Sequence, residues 1–262
     1  MKPLKTALLT GILILSVQIS GALAHMLWLT PSTDRVTPGE PVYIEIGWGH
    51  QMPRDQFISS ERLETVLVLD PAGEPVKTEK IFPTFFSFTP EKKGTYLVGA
   101  AVRPGFLSIT TDGHQLGNRQ TVDNVVSCFR FVMSAKTMVQ AGEPATGYQQ
   151  KSDRKLQIIP LKAPLSLQKG DVLPVKIMFG NKPLTGATLQ ATHAGHNPKE
   201  QGRHKDSLWV QQIKTDDKGV ANIDISNHNA WMLRVNHKTP YPDKRVCDEY
   251  SYATTLTLRP RP

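Results

Sequence analysis

The chain has 262 residues, a formal net charge of +8 at pH 7, 39% hydrophobic residues and 2 cysteines. This length exceeds one ordinary domain and fits two, and the charge is spread without a concentrated basic tract, so a nucleic-acid partner is not expected. Neither cysteine belongs to a CxxC pair, which argues against a thiolate zinc site and against a thioredoxin-like centre.

Residues 1–24 have the order of a cleavable signal peptide. Two lysines come first, an apolar run follows from Ala7 to Val17, and Ala22-Leu23-Ala24 supplies small residues for a peptidase. The apolar run is too short to cross a bilayer comfortably, although an uncleaved leader would tether the protein. We predict cleavage after Ala24, a periplasmic location, and a mature chain that begins with His25 and does not span a membrane.

A histidine at the start of a chain has chemistry that an internal histidine lacks. Its free amine and its imidazole can hold one metal ion together as a chelate, and imidazole suits nickel, copper, zinc and cobalt. The alternative is that His25 is an ordinary, disordered terminal residue.

Short alternating or β-branched runs between proline and glycine turn signals predict strands in the first half of the mature chain. They are Val42–Ile46, Thr65–Leu69, Thr95–Val102, Phe106–Thr111 and Val125–Val132. A half-buried strand is also the simplest explanation of the phenylalanines between positions 82 and 88.

A second series of predicted strands follows Gly142-Glu143-Pro144 and a polar stretch. Its members are Leu156–Leu161, Leu173–Phe179, Ala187–Thr192, Leu208–Ile213, Val220–Ile225, Trp231–Val235 and Tyr252–Leu258. No long amphipathic helix is expected. The pattern predicts an all-β protein of two Ig-like sandwiches in tandem, residues 25–144 and 156–262, with residues 145–155 as a linker.

Cys128 and Cys247 lie in different predicted domains. An oxidising compartment favours a disulfide between them, which would join the two halves of the chain. The alternative is a pair of buried thiols.

Histidines are the main candidates for chemistry, because the sequence contains no serine-hydrolase elbow, phosphate loop or zinc-protease motif. His50 ends a predicted strand in Gly47-Trp48-Gly49-His50, where the glycines let backbone approach a ligand closely. Met52 and Asp55 could add a soft or a hard donor. The alternative interpretation is a tight turn around a packed tryptophan.

Three further histidines are candidate ligands. His237 also ends a strand, and His193 and His196 follow another, where a polar loop is the alternative explanation. His204 lies between cations that would repel a metal ion.

Several segments together resemble the periplasmic component family of cobalt and nickel uptake systems. They are His25 with Leu27-Trp28-Leu29, Pro38-Gly39, Gly47 to Pro53, Phe131 to Lys136, Thr215-Asp216-x-x-Gly219, Trp231-x-Leu233 and Tyr252-Ala253-Thr254. The resemblance covers essentially the whole mature chain. Residues 215–237 are also similar to carboxypeptidase-regulatory and transthyretin-like sandwich modules.

The resemblance implies a metal-capture protein, not an enzyme, that serves the subunits of a membrane metal transporter. It carries over to His25 and His50, and more weakly to His237 and His193. Gln56 stands where relatives are expected to have an acid, which leaves Asp55 as the carboxylate near His50. The expected ion is nickel or cobalt, with copper or zinc as alternatives, and binding should weaken as histidine protonates near pH ~6.5.

Three other functions remain open at this stage. A terminal histidine plus an internal one on a β-sandwich is also the ligand set of copper monooxygenases that act on polysaccharides, and of copper-storage sandwiches. The chain could also be a metal-free exported module that binds a protein or a sugar.

Overall fold

The computed structural model describes residues 25–150, 152–196 and 208–262, so the expected signal peptide and His204 lie outside the described residues. Its strands are β1 (Met26–Pro31), β2 (Arg35–Val36), β3 (Val42–Gly49), β4 (Leu63–Leu69), β5 (Pro75–Val76), β6 (Glu79–Phe82), β7 (Phe85–Phe88), β8 (Gly94–Val102), β9 (Gly105–Thr110), β10 (Gly113–Leu116), β11 (Val125–Ala141), β12 (Leu156–Pro160), β13 (Val172–Phe179), β14 (Lys182–Pro183), β15 (Thr188–His193), β16 (Gln211–Lys214), β17 (Val220–Asp224), β18 (Trp231–Pro240) and β19 (Glu249–Leu258). Short 3-10 helices occupy Ser60–Arg62 and Pro164–Ser166. In the described ranges, no helix is long and apolar enough to cross a membrane. The predicted all-β class is confirmed.

The strands form three sheets. The N-terminal sheet has four strands in the order β1-β3-β7-β6. The central sheet has eleven strands, with the path β16-β15-β18-β19-β11-β8-β4-β5 and with β2, β9 and β10 beside it. The C-terminal sheet contains β12, β13, β14 and β17. The two smaller sheets each cover a different part of the central sheet.

The N-terminal core lies between the N-terminal sheet and β4, β8 and β11 of the central sheet. In β3, Val42, Ile44 and Ile46 are buried while Tyr43 between them is exposed, which is the alternation of a strand with one covered face. These side chains belong to one buried cluster with Val98 of β8. Burying apolar area on both facing sheets is the main stabilising contribution here.

The C-terminal core is built in the same way from the C-terminal sheet and from β15, β18 and β19. Val175 and Ile177 of β13 pack in one cluster with Leu233 and Leu256. Met138 of β11, from the first half of the chain, belongs to this second cluster. The two cores therefore share a strand.

The halves are joined by backbone hydrogen bonds as well as by the linker. β11 pairs antiparallel with β8 over Thr137–Ala141 and parallel with β19 over Phe129–Lys136. The central sheet thus runs from one half of the chain into the other, which the prediction of two tandem sandwiches did not include. A single sheet of this kind holds the two cores in a fixed relation.

The two cysteines form a disulfide beside this junction. Cys128 of β11 is bonded to Cys247, with Cα atoms 5.1 Å apart, and both side chains are buried. The backbone N–H of Asp248 donates to the Cys128 carbonyl, 3.2 Å away. The crosslink therefore joins the two halves of the chain where β19 begins to pair with β11.

The first strand, β1, rests on the second half of the chain. The Thr255 hydroxyl donates to the Leu27 carbonyl at 2.6 Å, and the Thr257 hydroxyl donates to the Leu29 carbonyl at 2.5 Å, both in buried surroundings. Buried hydrogen bonds of this kind are costly to break, because each leaves a polar group unsatisfied. They hold the start of β1, and with it His25, against the central sheet.

Candidate metal centre

The pairing of β1 with β3 brings His25 beside His50. The two strands are antiparallel, with Met26 opposite Gly49, so the next residue outward on each strand is a histidine. The two imidazole ring centroids are 4.4 Å apart and the rings are tilted by 38°. His25 and His50 are 25 positions apart in sequence, and their imidazoles lie side by side at one end of the β1–β3 strand pair.

The indole of Trp48 sets the plane of the His25 ring. The two rings are stacked, with centroids 5.0 Å apart and an angle of 8° between their planes. The Arg62 guanidinium lies 5.2 Å from the centroid of the same indole. Trp48 is itself buried, so the His25 ring rests on a rigid surface.

Hydrogen bonds decide which imidazole nitrogens stay available. His25 Nε2 lies 2.6 Å from Gln56 Oε1, and His50 Nδ1 lies 3.2 Å from Asp55 Oδ2. Both partners are oxygen acceptors, so the nitrogens facing them carry the proton in neutral imidazoles. The lone pairs are then on Nδ1 of His25 and on Nε2 of His50. Metal-binding histidines almost always show this arrangement, with the second ring nitrogen donating to a carboxylate or a carbonyl oxygen.

Asp55 holds His50 in two ways. Its Oδ1 accepts the His50 backbone N–H at 2.8 Å, while its Oδ2 faces the imidazole. Burial raises the pKa of Asp55, but the hydrogen bonds from His50 outweigh this effect and the pKa lies below its ordinary value. The carboxylate therefore stays ionised at neutral pH and is a strong acceptor for the His50 ring.

Gly49 makes this contact with Asp55 sterically feasible. Its φ is +139°, a value that side chains rarely adopt, and a Cβ at this position would lie 1.8 Å from Asp55 Oδ1. Any larger residue here would displace the carboxylate that orients His50.

We expect Gly49→Ala to lower metal affinity by about 10- to 100-fold, the usual effect of losing a partner that orients a ligand. Affinity would be measured by calorimetric titration of the folded variant. Gly39→Ala is the matched control, because Gly39 also has a positive φ of +96° but nothing lies within 4 Å of its added Cβ. Equal affinities of the two variants would contradict the role assigned to Asp55.

An apolar cluster supports the strands next to the histidine pair. Met26 and Trp28 of β1 pack with Met232 of β18, and Met52 packs against this cluster. Gly47 is required for the packing, because a Cβ there would lie 2.1 Å from the Trp28 ring. Of the glycines on either side of Trp48, Gly47 leaves room for Trp28 and Gly49 leaves room for Asp55.

The structure does not bring His193 or His237 to the pair. Thr255 and Thr257 of β19 reach β1, whereas His193 contacts Trp231 and His237 contacts Phe179, rings of the C-terminal core. Successive side chains of a strand point to opposite faces, so both histidines lie on the face of the central sheet away from His25.

His193 and His237 are also separated from one another. His193 pairs with Trp231, six positions before His237 along β18, which corresponds to about 20 Å at the rise of a strand. Partial burial lowers the pKa of His237. The imidazoles of His193 and His237 are therefore too far apart to bind one ion.

Within residues 25–150, 152–196 and 208–262, no group of three or more His, Cys, Asp and Glu side chains is arranged to hold a metal ion. The pair of His25 and His50 therefore offers two side chains. In a chain that starts at His25, a third donor would be its own terminal amine.

Two neighbours of the pair were not identified from the sequence as contacts. From the sequence, Gln56 is only a departure from an expected acid. In the structure it forms an isolated β-bridge with Trp48, and its side chain is hydrogen-bonded to the His25 ring. The sequence does not indicate Arg62, because its contact with Trp48 depends on the path of the loop that follows β3. No local pattern marks either contact.

Several solved structures are similar to this chain, at low sequence identity and with low TM-scores. The D0-D1 domain of intimin is 11% identical, with 90% of this chain and 100% of that chain covered and a TM-score of 0.24. Murine CEACAM1b is 7% identical, with 91% and 99% covered and a TM-score of 0.22. The fibronectin(III)-like modules of Clostridium thermocellum CbhA are 9% identical, with 88% and 94% covered and a TM-score of 0.20.

No curated protein matches the chain. A protein-family model matches residues 22–239, a range that includes both His25 and His50. Because this match covers most of the chain, the protein belongs to the family described as Domain of unknown function (DUF4198).

Proposed function

We propose that the mature protein binds one divalent transition-metal ion between His25 and His50 in the periplasm and passes it to a membrane uptake system. The observation that carries this proposal is the adjacency of the two rings, 4.4 Å between centroids, with the second nitrogen of each ring held by an oxygen acceptor. Nickel and cobalt are the proposed cargo, in keeping with the resemblance described above.

Three nitrogens form the proposed donor set. They are the terminal amine of His25, its Nδ1, and Nε2 of His50. The amine and Nδ1 belong to one residue, so an ion held by both is chelated. Asp55 and Gln56 would orient the rings without binding the ion. This donor set requires the predicted cleavage after Ala24, which frees the amine.

Copper binding is the second candidate function. A set of nitrogen donors without thiolate suits square-planar or tetragonal ions such as Cu(II) and Ni(II), and copper has the higher intrinsic affinity. A copper-loaded site could serve storage, or the oxidation of a polysaccharide. Phe57, next to Gln56, is 76% exposed and lies 4.5 Å from the Arg54 guanidinium, and such an exposed ring could contact a sugar.

The direct test is equilibrium dialysis of the mature chain, with His25 as its first residue, against nickel, cobalt, copper and zinc. We expect one ion per chain, lost in His50→Ala and retained in His114→Ala, which removes an exposed histidine of β10. Binding should weaken in acid, because only neutral imidazole binds metal. Undetectable binding at millimolar metal would end the proposal.

The transport role has its own test. Cells that export the His50→Ala protein should accumulate less nickel or cobalt at limiting supply than cells that export the His114→Ala protein. Tight copper binding with unchanged nickel and cobalt uptake would favour the second candidate. Peroxide-dependent cleavage of a glycan by the copper-loaded protein would then identify an oxidative enzyme, and inertness would leave storage.

A further inference from the structure

A partly enclosed cavity of about 110 Å³ lies between residues 152–157 and the central sheet. Both halves of the chain contribute to its walls, which include Leu67, Leu97, Ser134, Lys136, Leu156 and Thr254. The cavity is separate from the histidine pair, none of whose residues line it. Apolar atoms make up most of its surface, but polar residues such as Thr65, Ser152 and Gln157 also line it.

Lys136 is the unusual residue of this cavity. Only 7% of it is exposed, and its Nζ has no hydrogen-bond partner among the described residues. Burial lowers the pKa of Lys136 to about 8. A buried polar group without a partner is costly, and in native proteins it calls for an explanation.

The other charged groups near the cavity are already paired. Arg154 donates to Glu64 at 2.9 Å and lies 3.5 Å from Asp153, an exposed carboxylate. The Lys136 ammonium is therefore the charge without a counter-ion among the described residues that line the cavity. A ligand that completes this site would carry one negative charge.

The remaining walls restrict the ligand further. The Ser134 hydroxyl donates to the Thr254 hydroxyl at 3.0 Å, which leaves the Thr254 O–H to donate to a ligand in the cavity. Leu67, Leu97 and Leu156 surround the space with apolar surface. A phosphate dianion would leave one of its two charges uncompensated, because Lys136 is the one unpaired cation among the described lining residues. A carboxylate with a short alkyl chain fits both the charge and the walls.

We propose that this cavity binds a short-chain aliphatic monocarboxylate, with the alkyl chain against the leucines and the Lys136 side chain turning to bring its ammonium to the carboxylate. Because the walls come from both halves of the chain, the ligand would contact β4, β8, the linker and β12 together. Binding would therefore stabilise the joint between the two cores. This role does not depend on the metal site.

Calorimetric titration of the mature chain with butyrate tests the proposal. We expect saturable binding at neutral pH that weakens by about 30-fold or more in Lys136→Met, because the variant lacks the one unpaired cation among the described residues that line the cavity. Lys218→Met is the control, since Lys218 is exposed in a turn away from the cavity, and it should bind butyrate as the unmodified chain does. Binding to the unmodified chain should also weaken above about pH 8, as Lys136 loses its proton.

Thermal unfolding shows whether the variants are folded. Methionine is apolar and close to lysine in shape, so Lys136→Met should unfold at a temperature no lower than the unmodified chain does. Butyrate should raise the unfolding temperature of the unmodified chain and of Lys218→Met only. Absence of saturable butyrate binding, equal binding by Lys136→Met, or preferred binding of inorganic phosphate would each overturn the proposal.

Discussion

Adding one alanine in front of His25 should weaken cobalt binding by about 100-fold or more, although every side chain of the site is kept. Losing a residue that merely orients a ligand costs 10- to 100-fold, and the added residue removes a donor outright. It converts the free amine into an amide, whose nitrogen does not bind metal at neutral pH without losing its proton. Competition against a chelating dye, for chains with and without the alanine, measures the change.

An alanine added after Pro262 is the control for this experiment, because it lengthens the chain without touching the histidine pair. That variant should bind metal as the unmodified mature chain does. If the chain with the leading alanine also binds with unchanged affinity, the two imidazoles hold the metal without the amine. The proposal would then keep His25 and His50 but lose the chelate.

Replacing both cysteines by alanine should lower the free energy of unfolding by about 5 kcal/mol, the chain-entropy value for a crosslink that closes a loop of this length. The two cysteines are 119 positions apart, so the bond removes many conformations from the unfolded chain. Urea unfolding of the oxidised chain and of the double variant gives the difference. Because the histidine pair is held by other contacts, metal binding by the folded variant should be unchanged.

A loss below about 1 kcal/mol would contradict this expectation. It would mean that residual structure already restricts the unfolded chain, or that the crosslink strains the folded chain. Reducing the disulfide in the unmodified chain supplies an independent comparison, since the reduced protein retains both sulfur atoms. The reduced chain and the double variant should have similar stability.

Local patterns in the sequence predicted most of the longer strands, but not β1. The alternation of Val42, Ile44 and Ile46 with polar or exposed residues predicted β3, and β-branched runs predicted β13 and β18. These patterns work because a strand that buries one face repeats every two residues. The same reasoning predicted Val125–Val132 but not its continuation to Ala141.

Pairing across the chain was not predictable from such patterns. The parallel pairing of β11 with β19 joins residues about 120 positions apart. Nothing in the sequence of either strand indicates which strand it pairs with. For the same reason the buried position of Lys136 has no signal in the sequence, where a lysine in a strand suggests an exposed face.

For the candidate metal centre, the sequence by itself determined the residue types: a histidine after an expected cleavage site, a second histidine after Gly47-Trp48-Gly49, and an aspartate close behind it. Only the tertiary structure decided which histidines meet. The register of β1 against β3 brings His25 to His50, whereas side-chain alternation puts His193 and His237 on the other face of the central sheet. Composition sets what chemistry is available, and strand pairing between distant segments sets which groups can share one ion.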